Sequence, residues 1–435
     1  MRRNINKIVA LAIGISVMSG SIMPVFAADT AQSTTTTVAA NANVQTQVNG
    51  KPVLTLDDAI KAAISISDSL ALDEQKISYQ DKTNDLNKKK DDFNNVDSDK
   101  ENYDNNTADN SLNKLKQQRD FDEDILTYKV TNKYNDIVTS QMKIDKAAKE
   151  LEIKNTELDD TKFKESLGMT ITIDLKSTEL EIENLQNTQK SSKNTLKDAE
   201  DSFKVLTGKD VTQYSLEQDV KFEQLKIDGS VDEYLDNVID SYLKYSEQLV
   251  KLNKDYYDNN YENDNNITST DMEDAESAAE SATKPTEPSD ANTNFTSYEK
   301  YEEDLDTYNT TKEKYTGILS SRLTYLSTKL SNYETETSLN ENKKTYKDNL
   351  KSYYTNLLTS EDNINYYKKN IEIDNEKLSN YKFKYDLGMI TESDYNTQVE
   401  SCMQDDIDLR NEIISYNKLK EDVQKPWIAF SSSNS

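Results

Sequence analysis

The sequence is poor in several residue types, and each deficit excludes a class of protein. Its 435 residues include no histidine, one cysteine, eight glycines and five prolines, and 80 acidic residues outnumber 52 basic ones. The lack of histidine excludes the usual zinc sites and histidine catalysis, and one cysteine cannot form an internal disulfide. So few turn-forming residues argue against a fold of many short strands. A net charge of −28 repels phosphate, which argues against nucleic acid and anionic lipid as direct partners.

The residues that remain predict no catalytic, cofactor or metal site, and therefore no enzyme. No nucleophile–base pair, phosphate loop or metal-binding motif is found in the sequence. Asp97, Asp99 and Glu101 alternate as in a calcium loop, but Asn102 replaces the required glycine, so the pattern favours a solvated turn. The 26 tyrosines suit hydrated helix–helix seams, with a platform for aromatic or sugar ligands as the alternative. The acidic excess is compatible with solubility or with a cation-selective duct.

The two ends of the chain and one internal stretch differ in composition from the rest. Residues 1–27 have the basic start, short apolar run and small residues of a secretory signal peptide. Residues 28–53 are predicted to be a flexible leader, and residues 425–435 a frayed tail. The acidic stretch at about 258–297 has almost no large apolar residues, so we expect a disordered insert.

The body of the chain is an internal duplication. The segment Lys162-Phe163-Lys164 with its following Leu-Gly-Met recurs 220 residues later, and the same offset holds for many flanking positions. Such a match without gaps indicates two copies of one structural unit. Residues 54–208 therefore form repeat 1, residues 209–229 a connector, and residues 230–424 repeat 2, which carries the acidic insert.

Apolar residues recur every seven positions on both sides of each repeated glycine. A strict seven-residue period predicts left-handed coiled coils, and Gly168 and Gly388 supply the positive φ with which a helix can end and the chain reverse. The predicted arms run from about 134 to 166 and 174 to 206, and from about 354 to 386 and 394 to 424, each roughly 50 Å long. We therefore predict an all-α fold of duplicated long antiparallel coiled-coil hairpins. The heptad residues are Ile137, Ile144, Leu151, Leu158, Leu175, Ile182, Leu196 and Phe203, and Leu357, Ile364, Ile371, Leu378, Tyr395, Cys402, Leu409, Tyr416 and Val423.

These features together resemble the TolC-type outer-membrane efflux family. The resemblance rests on LTLDDAIKAA at residues 54–63, on the repeated LGM followed by Asp174 or Asp394, and on SFKVLTG at residues 202–208. The family normally inserts two membrane strands into each repeat. Here the corresponding segments, 91–113 and 258–297, lack the apolar–polar alternation of such strands. The sequence therefore indicates a relative with no clear β-barrel strands, which argues against membrane contact.

The resemblance implies an efflux or secretion conduit: a homotrimer that works with a periplasmic-adaptor-like (membrane fusion) protein and an ABC or proton-driven pump. It implies a place in the cell envelope, which is the outer membrane in the family and the cell wall or surface in a cell without one. A structural coiled-coil surface protein that has lost transport is the alternative. Ile171 departs from the Ser or Thr that the family has after the glycine. The adaptor contacts implied at the hairpin tips are Leu167, Gly168, Met169 and Asp174, and Leu387, Gly388, Met389, Thr391 and Asp394.

Overall fold

The computed structural model describes residues 47–48, 50–169, 172–289 and 295–431. The proposed signal peptide and most of the leader lie outside these residues. Ten helices are found in the described part, together with three short strands and a 3₁₀ turn at Val211–Gln213. The strands are β1 (Gln47–Val48), β2 (Lys51–Leu54) and β3 (Ser215–Leu216), and the helices are α1 (Leu56–Ile66), α2 (Asp68–Asn94), α3 (Ser98–Ser166), α4 (Thr172–Thr207), α5 (Val231–Asn259), α6 (Tyr261–Asp264), α7 (Ser269–Ser281), α8 (Phe295–Asp386), α9 (Glu392–Gln424) and α10 (Pro426–Ser431).

Two very long helices determine the architecture. The 69 residues of α3 and the 92 residues of α8 correspond to about 100 Å and 140 Å. The end of α3 packs on α4 to form hairpin 1, the end of α8 packs on α9 to form hairpin 2, and α3 also packs on α9. In the other half of the molecule α2 packs on α3, α3 on α5, and α5 on α8. The predicted all-α class with duplicated antiparallel hairpins is confirmed.

The core lies where the two repeats meet the connector. The heptad residues Ile137, Ile144, Leu357 and Ile364 are buried, as their spacing predicts. The small strands pair beside this core, with β2 antiparallel to β1 and parallel to β3. The hydroxyl of Tyr134 donates to the carbonyl of β2 residue Leu54 and accepts from the Glu217 N–H of the connector, both at 2.7 Å, so α3 holds these segments in place.

A buried arginine joins the two repeats. Arg410 of α9 is only 6% exposed, and burial lowers its pKa below the usual value. Its Nε donates to Thr139 Oγ1 at 3.1 Å and its Nη2 to Asn135 Oδ1 at 3.0 Å, both on α3. Its Nη1 donates to the backbone carbonyl of Gln218 in the connector. One side chain therefore fixes hairpin 2 against repeat 1, because a buried guanidinium needs all of these acceptors.

The prediction that the acidic insert is disordered is wrong for residues 258–281, which lie mostly in helices α5, α6 and α7, whereas residues 282–288 have no regular secondary structure. Residues 269–281 form α7, which begins with a capping box between Thr268 and Asp271. Its small side chains Ala275 and Ala279, one turn apart, are buried, and α7 packs on α8. Lys312 of α8 donates to the Ala279 carbonyl at 2.7 Å. The segment orders because α8 supplies the apolar surface that its own composition lacks. Residues 290–294 lie outside the described part.

The segment at 91–113 is helical, apart from a short turn between α2 and α3. Asp97, the residue before α3, accepts the N–H of Asp99 at 2.9 Å and so caps the helix. Carboxylate oxygens of Asp97, Asp99 and Asp264 lie within 4.8 Å of one another. Asp97 and Asp99 are exposed at the N-terminal end of α3, whose positive dipole favours acidic side chains, whereas Asp264 is half-buried at the C-terminal end of α6.

Two further corrections concern the leader and the tail. Residues 51–53 of the predicted flexible leader belong to strand β2, which ends at the buried Leu54 of repeat 1. Residues 426–431 form α10 rather than a frayed end, since Ile428 is buried and the Trp427 ring stacks on Phe121 of α3 with centroids 4.2 Å apart. Trp427 Nε1 also donates to Asp124 at 3.1 Å. Both segments order through contacts with distant parts of the chain. Residues 432–435 lie outside the described part.

Candidate functional site

The tip of hairpin 1 is a tight turn built on a glycine. After α3 ends at Ser166, Gly168 takes a φ of +70°. The Gly168 N–H donates to the Glu165 carbonyl and the Met169 N–H to the Lys164 carbonyl, both at 2.9 Å. These bonds satisfy carbonyls that the helix end would otherwise leave open. The turn therefore reverses the chain at the position that the sequence predicted.

The tip of hairpin 2 repeats this geometry. Gly388 has a φ of +68°, its N–H donates to the Tyr385 carbonyl, and the Met389 N–H donates to the Lys384 carbonyl, both at 2.8 Å. A Cβ added to Gly388 would meet no atom within 4 Å. The need for glycine therefore comes from the left-handed backbone and not from lack of space.

A capping box fixes the start of α9. The Thr391 N–H donates to Asp394 Oδ2 at 3.0 Å, and the Asp394 N–H donates to Thr391 Oγ1 at 3.1 Å. The Thr391 hydroxyl also donates to Asp394 Oδ2 at 2.7 Å, and these bonds lower the pKa of the Asp394 carboxyl. In hairpin 1, Asp174 lies in the first turn of α4. Thr170 and Ile171 lie outside the described residues.

Both tips present large apolar side chains to solvent. Such residues are normally covered in a monomer, and a cluster of them at the same place in two repeats is typical of a contact surface. The exposed fractions are 66% for Phe163, 56% for Leu167 and 72% for Met169 in tip 1 (residues 163–169 and 172–174), and 65% for Phe383, 59% for Leu387 and 69% for Met389 in tip 2 (residues 383–394).

Phe163 and Phe383 were not among the tip residues predicted from the sequence. The signal was available, because each phenylalanine belongs to a repeated Lys-Phe-Lys and stands four residues before the tip leucine, on the same helix face. A ring contact was also missed. Tyr385 and Tyr395 stack across tip 2 with centroids 5.4 Å apart. The repeat offset places Glu165 and Leu175 at the corresponding positions of tip 1, so tip 1 cannot form this stacked pair of tyrosine rings.

The two tips lie at the same end of the molecule. Helices α3 and α9 run past each other in opposite directions, and two contacts set their register. Lys146 Nζ lies 2.8 Å from Glu400 Oε1, and further from the tips Arg410 reaches Thr139. Since α3 leads into tip 1 and α9 leads out of tip 2, both hairpins point the same way.

The outer helices carry exposed apolar stripes at coiled-coil spacing. On α2 the stripe, here called the α2 stripe, has an exact seven-residue period, and on α8 the α8 stripe alternates steps of four and three. Each stripe lies on a helix at an edge of the packed layer α2–α3–α5–α8. The α2 stripe is Leu72, Tyr79, Leu86 and Phe93, and the α8 stripe is Leu319, Leu323, Leu326, Leu330 and Tyr333, all exposed.

Comparison with solved structures identifies the fold. CusC, crystallised to follow folding and transmembrane channel formation, superposes with a TM-score of 0.51 at 10% identity over 86% of this chain and 91% of its own. A membrane protein from Pseudomonas aeruginosa gives 0.52 at 10% identity, over 86% and 92% of the two chains. The outer-membrane channel OprN gives 0.51 at 10% identity, over 86% and 90%.

The chain has the TolC-type fold. The resemblance drawn from the repeated LGM motif is thus confirmed at the level of fold. No protein-family model matches the sequence, and neither does any curated protein. No helix in the described part of the chain combines the length and the apolar character needed to cross a bilayer.

Proposed function

We propose that this protein is an exported conduit component for efflux or secretion, which assembles from several copies and docks through its hairpin tips onto an adaptor of a membrane pump. The observation that carries the proposal is the pair of exposed apolar tips at one end of a TolC-type fold. CusC and OprN, which share that fold, are a transmembrane channel and an outer-membrane channel.

The two exposed stripes support assembly from copies of this chain. A single copy leaves apolar heptad positions open on α2 at one edge of the layer and on α8 at the other. Pairing the α2 stripe of one copy with the α8 stripe of the next gives a head-to-tail contact, the kind of contact from which closed rings are built. Serine and threonine flank the leucines of the α8 stripe, so a neighbouring helix can approach closely. We propose a ring of three copies.

Light scattering on the mature protein after gel filtration tests the assembly. We expect a mass near three chains, and we expect Leu86→Glu to reduce it to one chain, because a buried unpaired charge would oppose the contact. Asn87→Glu is the matched control, since it adds the same charge at the next exposed position of α2. A monomeric wild-type protein, or equal effects of the two variants, would overturn the ring.

The tips are tested separately by complementing a deletion strain. We expect Leu387→Asp and Met389→Asp together to abolish export of the strain's secreted products and to restore drug sensitivity, while the trimer mass stays unchanged. Phe295→Asp is the control, because Phe295 is 74% exposed at the far end of α8. If the tip variant exported normally, or if the deletion had no effect on export, the structural surface protein would be the better interpretation.

A further inference from the structure

A long trough runs along one face of α3, outside the two tips and the two stripes. Two adjoining cavities of about 820 Å³ and 600 Å³ form it, and they share Lys133 and Ser202. Its floor is α3 from Asp122 to Lys143, which is about 30 Å of helix. The walls are α1 and α4 on one side, and α9 and α10 on the other. The trough therefore lies where helices of both repeats meet.

The floor of the trough faces away from the connector. Its residues follow one another at steps of three and four, which places them on one face of the helix. Tyr134, whose hydroxyl holds β2 and the connector, precedes Lys143 by nine residues, or about 180° around a helix of about 100° per residue. The connector therefore covers one face of α3, and the trough lies on the opposite face. The floor residues are Asp122, Ile125, Lys129, Lys133, Asp136, Ser140 and Lys143.

The end of the trough that is farther from the tips is apolar. Val205 of α4 is 84% exposed and Ile66 of α1 is 49% exposed, so both side chains are open to solvent at this end. Apolar side chains that line a concave surface are typical of a site for the apolar part of a ligand. The apolar lining residues are Ile66, Ile125, Leu126, Val205, Leu206 and Ile428.

The end nearer the tips carries lysines without a carboxylate partner. Lys129, Lys133 and Lys143 of α3 form no ion pair with any described residue. The next three lysines of α3 lie outside the trough, and each is paired with a glutamate. These pairs are Lys146 with Glu400 at 2.8 Å, Lys149 with Glu152 at 2.9 Å and Lys154 with Glu157 at 2.9 Å. Along this part of α3, the lysines of the trough thus differ from those that follow it.

The charge that lines the trough differs from the charge of the whole chain. Four lysines and three aspartates line it, whereas the chain has a net charge of −28. The protein as a whole repels an anion, so binding requires a place where cations outnumber acids. Apolar walls beside the lysines strengthen the attraction, because they lower the local dielectric. The charged lining residues are Lys129, Lys133, Lys143 and Lys418, and Asp122, Asp136 and Asp198.

We propose that the trough binds amphipathic anions. The apolar body of the ligand lies against Ile125 and Val205. Its acidic head group lies between Lys133 and Lys143. From Ile125 to Lys133 the floor advances about 12 Å, and an extended chain advances about 1.2 Å per bond, so about ten carbons join the two regions. A role of such anions as exported substrates rests on the proposed conduit function, whereas the binding itself does not.

Fluorescence titration of the full mature chain with dansylaminoundecanoic acid tests the site. The probe carries its acid at one end and, at the other, a dansyl group that brightens in apolar surroundings. We expect saturable binding with one site per chain, and we expect unlabelled decanoate to displace the probe. The methyl ester of the same probe should bind about tenfold more weakly, because it lacks the charge that the lysines attract.

Variants of the lysines test the head-group end. We expect Lys133→Met combined with Lys143→Met to weaken binding of the acid about tenfold without weakening binding of the ester. Lys193→Met combined with Lys197→Met is the matched control, since it removes the same charge from exposed positions of α4 that do not line the trough. The control should leave both affinities unchanged.

A variant of Val205 tests the apolar end. We expect Val205→Asp to weaken binding of acid and ester alike by about tenfold, because the body of the probe loses its apolar contact. The side chain is mostly exposed, so the fold tolerates the change. Leu180→Asp is the matched control, since Leu180 is 67% exposed on the same helix and lies outside the trough.

Three results of the titration would each overturn the site: no saturable binding, equal affinity for acid and ester, or equal effects of the trough variants and their controls. Binding that is seen only in the monomeric Leu86→Glu variant would also overturn it, because a neighbouring copy would then fill the trough. The conduit proposal fails on a different observation. A monomeric wild-type protein that still binds the acid would remove the conduit and leave the site in place.

Discussion

Replacing Gly388 by alanine tests whether the turn needs glycine for its left-handed backbone or for lack of space beside it. In tip 2 the residue has a φ of +68°, and an added Cβ would touch nothing within 4 Å. The only cost is the left-handed conformation, about 1–2 kcal/mol for an L residue. We therefore expect Gly388→Ala to destabilise the tip by that amount without steric damage.

Gly317 provides the matched control, with the opposite expected sign. It lies inside α8, and its added Cβ would also meet nothing within 4 Å. Alanine in a helix interior is more favourable than glycine by about 1 kcal/mol. The same chemical change should therefore stabilise the helix at one position and destabilise the turn at the other.

Hydrogen exchange of peptides from the two sites, followed by mass spectrometry, would report the difference in local stability. The Met389 N–H, bonded to the Lys384 carbonyl at 2.8 Å, reports on the turn. A cost of about 1–2 kcal/mol corresponds to about 5- to 30-fold faster exchange in Gly388→Ala. Peptides around Gly317→Ala should exchange more slowly. If Gly388→Ala left exchange unchanged or slowed it, the positive φ would not be what requires glycine at the tip.

Three further predictions concern stability and the tip. Tyr134→Phe leaves its two buried backbone partners unsatisfied and should lower the free energy of unfolding by about 1–3 kcal/mol, measured from the urea midpoint. Thr391→Ala removes the hydroxyl bond to the Asp394 carboxylate and keeps the backbone N–H bond, so the pKa of Asp394 should rise in an NMR titration, whereas Thr391→Ser should not change it. Phe203→Ala empties a fully buried site and should cost about 3–5 kcal/mol, whereas Phe163→Ala, on the exposed tip, should cost less than about 0.5 kcal/mol.

The hairpins could be predicted because their determinants are local. Helical hydrogen bonds join residues four apart, so the seven-residue period and the glycine stops largely define the arms. The predicted ends at residues 166 and 386 agree with the ends of α3 and α8. The remainder of each long helix lies outside the predicted arms, although on α8 the spacing of the α8 stripe is typical of a helix. The position of the tips was predictable for the same local reason, whereas Phe163 and Phe383 were missed although the repeated Lys-Phe-Lys marks them.

The acidic insert could not be predicted from its composition. Its mean polarity predicts disorder, but folding depends on where the few apolar side chains lie and on what they meet. Ala275, Ala279 and Ile267 are buried, and α8, which follows in the chain, provides the surface against which α7 packs. The same reason explains α10, whose Trp427 finds its partner Phe121 about 300 residues earlier.

By itself the sequence determined that the chain is helical and duplicated, and that it reverses at Gly168 and Gly388. These properties depend on backbone hydrogen bonding and φ, which neighbouring residues control. Only the tertiary structure decided which apolar stripes are covered. The α2 stripe has the same seven-residue period as Ile137 and Ile144, yet it is exposed while they are buried. Burial depends on neighbours that are distant in sequence.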